Sequence, residues 1–191
     1  MNEDDVISVV LDRLESLGIE YMLVGSYASN TYGRPRSSFD ADIVVRIPPD
    51  AIDRFLRAFE PDFVVEPEAF RASICARTML NLIPKNGIFK VDMIPVRPTP
   101  FAEGEFARRR QLKAIGRTVW MASPEDVVLF KLEWYRRGNS VSARQLEDAR
   151  DVYALQKGAL DEAYLDHWAG ELGVRDLLDA IRGPADGVKG E

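Results

Sequence analysis

The chain has 191 residues, 46% of them hydrophobic and 29% charged, with a formal net charge of -6, one cysteine and one histidine. That is enough chain to bury a full core in one compact unit with a helical appendage. It excludes an internal disulfide framework (Cys75 is alone), argues against a zinc site built on Cys75 and His167, and argues against broad non-specific attraction to nucleic acid. The apolar runs are too short to span a bilayer and the start MNEDD lacks the basic region of a secretory signal, so a cytoplasmic protein with no membrane partner is expected.

Val6, Val9, Val10, Leu14 and Leu17 recur at helical spacing and predict a first helix from about Asn2, ended by Gly18. Tyr21-Met22-Leu23-Val24 reads as a buried strand, and Gly25-Ser26 ends it and opens a short helical turn through Gly33. Phe39 to Ile47 reads as a second strand closed by Pro48-Pro49, followed by a helix to about Glu60. Beyond lie a strand near Phe63-Val64-Val65, a short helix near Glu68, and strands at about Thr78 to Ile83 and Ile88 to Val96, which the Lys85-Asn86-Gly87 turn should join as a hairpin.

The last third is helical. Ser123-Pro124-Glu125-Asp126 carries an N-cap serine, a proline at the first helical position and an acid three residues after the cap, which starts a helix to roughly Arg137. Gly138-Asn139 breaks it. Ser142 with Gln145 repeats the capping pattern for a helix to about Lys157, and shorter helices are expected over Asp161 to Leu172 and Val174 to Arg182. The organisation is thus a core over residues 1–122, a helical section over 123–183 packed on it and closing one side of a cleft, and a flexible tail over 184–191.

The chemistry concentrates where acids interrupt strands. Residues two apart in a strand lie roughly 6 to 7 Å from each other on one face, so Asp40 and Asp42 share a side. Two carboxylates about 5 Å apart repel by roughly 3 kcal/mol at an effective dielectric near 20 unless a proton or a cation intervenes. Magnesium, which takes a few carboxylates together with phosphate oxygens, is a natural counter-ion. Asp92 interrupts a second apolar stretch, Val91-Asp92-Met93-Ile94, and if its strand lies beside that of Asp40 the three acids form one cage. Upstream, Gly25 lets the backbone approach a ligand and Ser26 opens a helix N-terminus suited to phosphate oxygens.

Gly25-Ser26, then thirteen residues, then Asp40-Ala41-Asp42-Ile43, with a later Val91-Asp92, resembles the signature of the nucleotidyltransferase superfamily related to DNA polymerase beta. The longer string Gly33-x-x-Arg36-x-Ser38-x-Asp40-x-Asp42 resembles more narrowly the minimal nucleotidyltransferase-like proteins, including the AbiEii toxin group. The helices with Lys131 and Arg144-x-x-x-Asp148-x-x-Asp151 are similar to that group's C-terminal part, while Ser38 stands where threonine is common.

The resemblance implies an α+β nucleotidyltransferase fold, a mixed twisted sheet flanked by helices. It implies transfer of a nucleoside monophosphate from a nucleoside triphosphate to a hydroxyl on RNA, protein or a small molecule. Asp40, Asp42 and Asp92 would be the catalytic and metal-binding residues for two Mg2+ ions, and Gly25, Ser26, Arg36 and Lys131 the nucleotide-binding ones. The toxin relatives further imply tRNA or protein as acceptor and an antitoxin as partner.

Plainer readings stand beside these. The acidic pair could be a strand end paired with Arg34 and Arg36, Asp92 could sit on an edge strand beside Lys90, and Lys131 could be a snorkelling surface lysine. The run Arg108-Arg109-Arg110 with Lys113 and Arg117 could grip RNA or a triphosphate, but such runs are more often a solvated helix face. Trp134, Tyr135, Trp168, His167 and Cys75 read as structural. Two other function classes compete: a non-catalytic nucleotide- or protein-binding module of the same fold, and a glycosyltransferase using the Asp-x-Asp pair. Against the latter, the apolar run Ile43-Val44-Val45 follows the pair instead of preceding it.

Overall fold

The computed structural model describes residues 2–138 and 142–183. The expected tail over 184–191 and Asn139 of the helix break lie outside the described residues. Among the described residues seven strands form one mixed sheet and the chain is α+β, as the resemblance implied. Within the described residues the chain gathers into two compact units, one from Met1–Tyr27 and Arg36–Ala122, the other from Ala28–Pro35 and Ser123–Glu191.

The first unit opens with α1 (Glu3–Ser16), where the Asn2 side chain accepts from the Asp5 amide and the Asp5 carboxylate accepts from the Asn2 amide. This reciprocal pair satisfies two orphan donors and sets where the helix starts. Its buried stripe is Val6, Ile7, Val10, Leu11 and Leu14; Ile7 and Leu11 take the places expected for Val9 and Leu17, so the apolar face is rotated from the predicted one. Then come β1 (Glu20–Val24), α2 (Gly25–Tyr32) and β2 (Asp40–Arg46). After a 3-10 turn at Pro49–Ala51, α3 (Ile52–Phe59) buries Ile52, Phe55, Leu56 and Phe59. Phe55 stacks on Phe59 and on Phe70 with ring centroids 4.1 and 4.5 Å away.

The unit continues through β3 (Phe63–Val64), α4 (Pro67–Ala76), β4 (Leu80–Pro84), β5 (Lys90–Pro95), α5 (Pro100–Ala107), β6 (Arg110–Ala114) and β7 (Arg117–Met121). The sheet order is β3-β4-β5-β2-β1-β7-β6. The expected hairpin is present, β4 running antiparallel to β5. Two pairs are parallel, β2 with β5 and β1 with β7, and the rest are antiparallel. β1 is buried at four consecutive positions, Tyr21 to Val24, which marks a strand covered on both faces.

The basic run is not a helix face. Arg110 and Lys113 stand on β6 and Arg117 on β7, joined by a tight turn at Ile115 and Gly116, both with positive φ. Arg109 lies over the Phe106 and Trp120 rings and pairs with Glu20 at 2.5 Å. Arg117 pairs with Asp12 and, at 2.7 Å, with Glu15. These two arginines are therefore committed to neighbours within the unit.

The second unit is built from α6 (Pro124–Arg137), α7 (Ala143–Gln156), α8 (Glu162–Glu171) and α9 (Arg175–Arg182). Ser123 caps α6 as expected: its hydroxyl accepts from the Asp126 amide and donates to the Asp126 carboxylate at 2.7 Å. Tyr164 donates to the other oxygen of that carboxylate at 2.6 Å, which ties α8 to the start of α6. Ser142 occupies the cap position of α7, but its side chain makes no capping hydrogen bond. Val128, Leu132, Ala149, Val152, Leu165 and Leu178 form the unit's apolar centre.

Candidate active site

The register between β2 and β5 decides which side chains meet. Asp40 lies opposite Lys90 and Asp42 opposite Asp92, while β4 places Asn81 opposite Asp92. Because partners in register point to the same face, Asp40, Asp42, Lys90, Asp92 and Asn81 form one polar group on one side of the sheet. β5 lies between β4 and β2, so Asp92 is not on an edge strand, and it is only 4% exposed. A carboxylate that deep requires partners.

Its partners are specific. Lys90 Nζ donates to Asp92 Oδ2 at 2.7 Å and lies 3.6 Å from Asp40 Oδ2. Asn81 Nδ2 donates to Asp92 Oδ1. The hydrogen bond to Asp92, above all, raises the Lys90 pKa above the ordinary lysine value and keeps the ammonium charged. On the other flank, Ser26 Oγ donates to Ser38 Oγ at 2.8 Å and Ser38 Oγ donates to Asp40 Oδ1 at 3.0 Å. A continuous polar chain thus runs from Ser26 through Ser38, Asp40, Lys90 and Asp92 to Asn81.

Gly25 completes the arrangement. Its φ is +59°, a conformation that favours glycine, and a Cβ added there would lie 1.9 Å from Asp42 Oδ2. The missing side chain is what lets the Asp42 carboxylate lie against the backbone where β1 turns into α2. Arg36 is half-buried, and its Nη1 donates to the Ser37 carbonyl at 3.2 Å. Arg34, considered as a partner of the acids, lies 3.6 Å from Asp151 instead.

Lys131 is not a snorkelling surface lysine. It is 2% exposed, and its ammonium donates to Asp148 Oδ2 at 2.7 Å inside the helical unit. Removing the ammonium leaves the buried Asp148 charge without its cationic partner, with the Ser29 hydroxyl at 3.5 Å as a weaker donor, so Lys131→Met is expected to lower stability by about 3 kcal/mol, read by denaturant unfolding of the whole protein. Loss of less than about 1 kcal/mol would show that the pair is not what holds α6 to α7.

Among the described residues, no three aspartate, glutamate, histidine or cysteine side chains are drawn together closely enough to hold a metal ion as they stand. The donor set nevertheless suits a hard divalent cation: three carboxylates share one face, two of them already bridged by the ammonium of Lys90. The sequence names Lys90 only as a neighbour of Asp92 and does not point to Asn81 at all. Lys90 was within reach of sequence reasoning, standing two positions from Asp92 and so on its face, whereas Asn81 needed the β4–β5 register, which no local pattern reveals.

No family model matches the chain, and no curated protein matches it in sequence. Solved structures do match in fold. A nucleotidyltransferase-like protein of Paracoccidioides brasiliensis superposes with a TM-score of 0.60 at 20% identity, covering 94% of this chain and 92% of that one. The antibiotic-resistance protein ANT(2")-Ia, in complex with adenylyl-2"-tobramycin, gives 0.59 at 15% identity, covering 92% and 99%. The lincosamide adenylyltransferase LnuA, lincomycin-bound, gives 0.54 at 14% identity, covering 81% and 98%. With its mixed sheet and flanking helices, the chain shares the fold of the nucleotidyltransferase-like proteins.

Proposed function

We propose that the protein is a metal-dependent nucleotidyltransferase that moves a nucleoside monophosphate from a nucleoside triphosphate to a hydroxyl acceptor and releases pyrophosphate. The observation that carries this reading is the pairing of Asp42 with Asp92 on adjacent parallel strands, with Asp40 on the same face and Gly25 against the Asp42 carboxylate. The fold shared with adenylyltransferases supports it.

Asp40, Asp42 and Asp92 would hold two Mg2+ ions. Bound there, the metal supplies Lewis-acid stabilisation of charge on the transferring phosphoryl group and lowers the pKa of the acceptor hydroxyl. The chain's own residues do the rest. Asp92, buried and fixed by Asn81, would orient the acceptor hydroxyl or take its proton. Ser38 holds the Asp40 carboxylate in place, and Ser26 with the opening amides of α2 binds phosphate oxygens. Arg36 neutralises the polyphosphate. Lys131, expected among the nucleotide-binding residues, is buried and paired with Asp148, and a phosphate role for it would require that pair to open.

ANT(2")-Ia and LnuA are captured with antibiotics, and a small hydroxylated molecule is one acceptor class for this chain. The narrower resemblance of Gly33-x-x-Arg36-x-Ser38-x-Asp40-x-Asp42 to the AbiEii group supports tRNA or protein as the other, with an antitoxin partner. A second reading, a nucleotide-binding module without catalysis, draws on the lack of a closed acidic cluster among the described residues. Incubation with each labelled triphosphate, Mg2+ and separate pools of tRNA, protein and aminoglycosides or lincosamides separates the two. Incorporation into any pool is the expected result, and binding without incorporation supports the module.

A further inference from the structure

We propose that Lys90 is a resident counter-cation of the acidic site, bound to the carboxylate oxygens that a divalent metal ion takes, so that Lys90 and the metal exclude each other at Asp92 and Asp40. This rests on the function proposed above and adds a residue to its machinery.

The geometry is that of a bridge. The ammonium sits 2.7 Å from Asp92 Oδ2 and 3.6 Å from Asp40 Oδ2, the acids of two neighbouring strands. With Asn81 on Asp92 Oδ1, both oxygens of the buried carboxylate are engaged. Lys90 therefore compensates like charges that would otherwise repel, and keeps the site assembled before any metal arrives. A Mg2+ or Mn2+ ion bonded to Asp92 Oδ2 at about 2.1 Å would lie within about 5 Å of an ammonium still hydrogen-bonded to the same oxygen. Three positive charges cannot share that space cheaply. The lysine stem is long and its side chain 39% exposed, so the head can leave towards solvent. The resting protein then binds metal weakly, and a nucleotide that brings its own metal displaces Lys90 from Asp92.

The test is titration of Mn2+ into the full chain by calorimetry, without nucleotide, for the wild type, Lys90→Met and Lys85→Met. Lys85 lies in the turn between β4 and β5, so its replacement makes the same change in net charge without touching the acids. Lys90→Met is expected to bind Mn2+ more tightly by on the order of tenfold, and Lys85→Met to stay within about twofold of the wild type. In chelator, Lys90→Met should also melt below the wild type and recover more on adding Mn2+. Binding in Lys90→Met no tighter than in Lys85→Met, while Asp42→Ala abolishes it, overturns the role of Lys90 alone. No Mn2+ binding by any of the proteins, with or without a triphosphate, overturns both this inference and the function it rests on.

Discussion

Asp42→Ala is expected to abolish nucleotidyl transfer while leaving the fold intact. Asp42 stands in register with Asp92, opposite Val24 on β1 and against Gly25, at the end of the sheet where every polar element of the site converges. Electrostatic support of a transferring phosphoryl group is worth several kcal/mol, and at about 1.4 kcal/mol per factor of ten its loss slows the step by about a thousandfold or more. Stability should not suffer, because the substitution removes one of several like charges from a crowded face. Single-turnover transfer of labelled nucleotide, with circular dichroism as the control, reads both quantities. Full activity in a folded Asp42→Ala protein would reject the assignment.

Gly25→Ala is the second large effect, and it acts without removing any charged group. Alanine at φ +59° costs about 1 to 2 kcal/mol, a loss visible in a denaturant midpoint. The functional loss should be larger. The new Cβ would fall 1.9 Å from Asp42 Oδ2 and 2.8 Å from its Cγ, so the carboxylate has to rotate away. A side chain can yield in this way at modest energetic cost, but a displacement of about 1 Å in a catalytic group can lower a rate by about a hundredfold. A variant that loses stability yet transfers at the wild-type rate would show that the position of Asp42 does not matter.

How legible this was depends on the residue. Asp40, Asp42 and Asp92 stand out as acids because Asp40 and Asp42 lead an apolar strand and Asp92 interrupts one, and of the three only Asp92 is buried, where an unexplained acid is conspicuous. Ser123 and Pro124 announced α6 through capping chemistry that acts within four residues. The β6–β7 hairpin was not legible. Its turn uses Ile115 and Gly116 where asparagine or aspartate before glycine would have signalled it, and β6 carries Arg110, Gln111 and Lys113 with little apolar alternation. The basic run therefore looked like a helix face. Asn81 and Lys131 share a different reason: their partners come from another strand or helix, so their roles follow from register and packing that local sequence does not encode, and for Lys90 this holds only of its approach to Asp40 across the β2–β5 pair.

On the proposed function, the acids of β2 and β5, held in reserve by Lys90, receive the metal and the polyphosphate of a nucleotide. A crystal structure with Mn2+ and a non-hydrolysable triphosphate, with the metal located by anomalous scattering, addresses it directly. The expected result is Mn2+ against Asp40, Asp42 and Asp92, phosphate oxygens at Gly25-Ser26, and the Lys90 head moved off Asp92. Mn2+ and triphosphate bound elsewhere, with Lys90 still bridging Asp92 and Asp40, would contradict it.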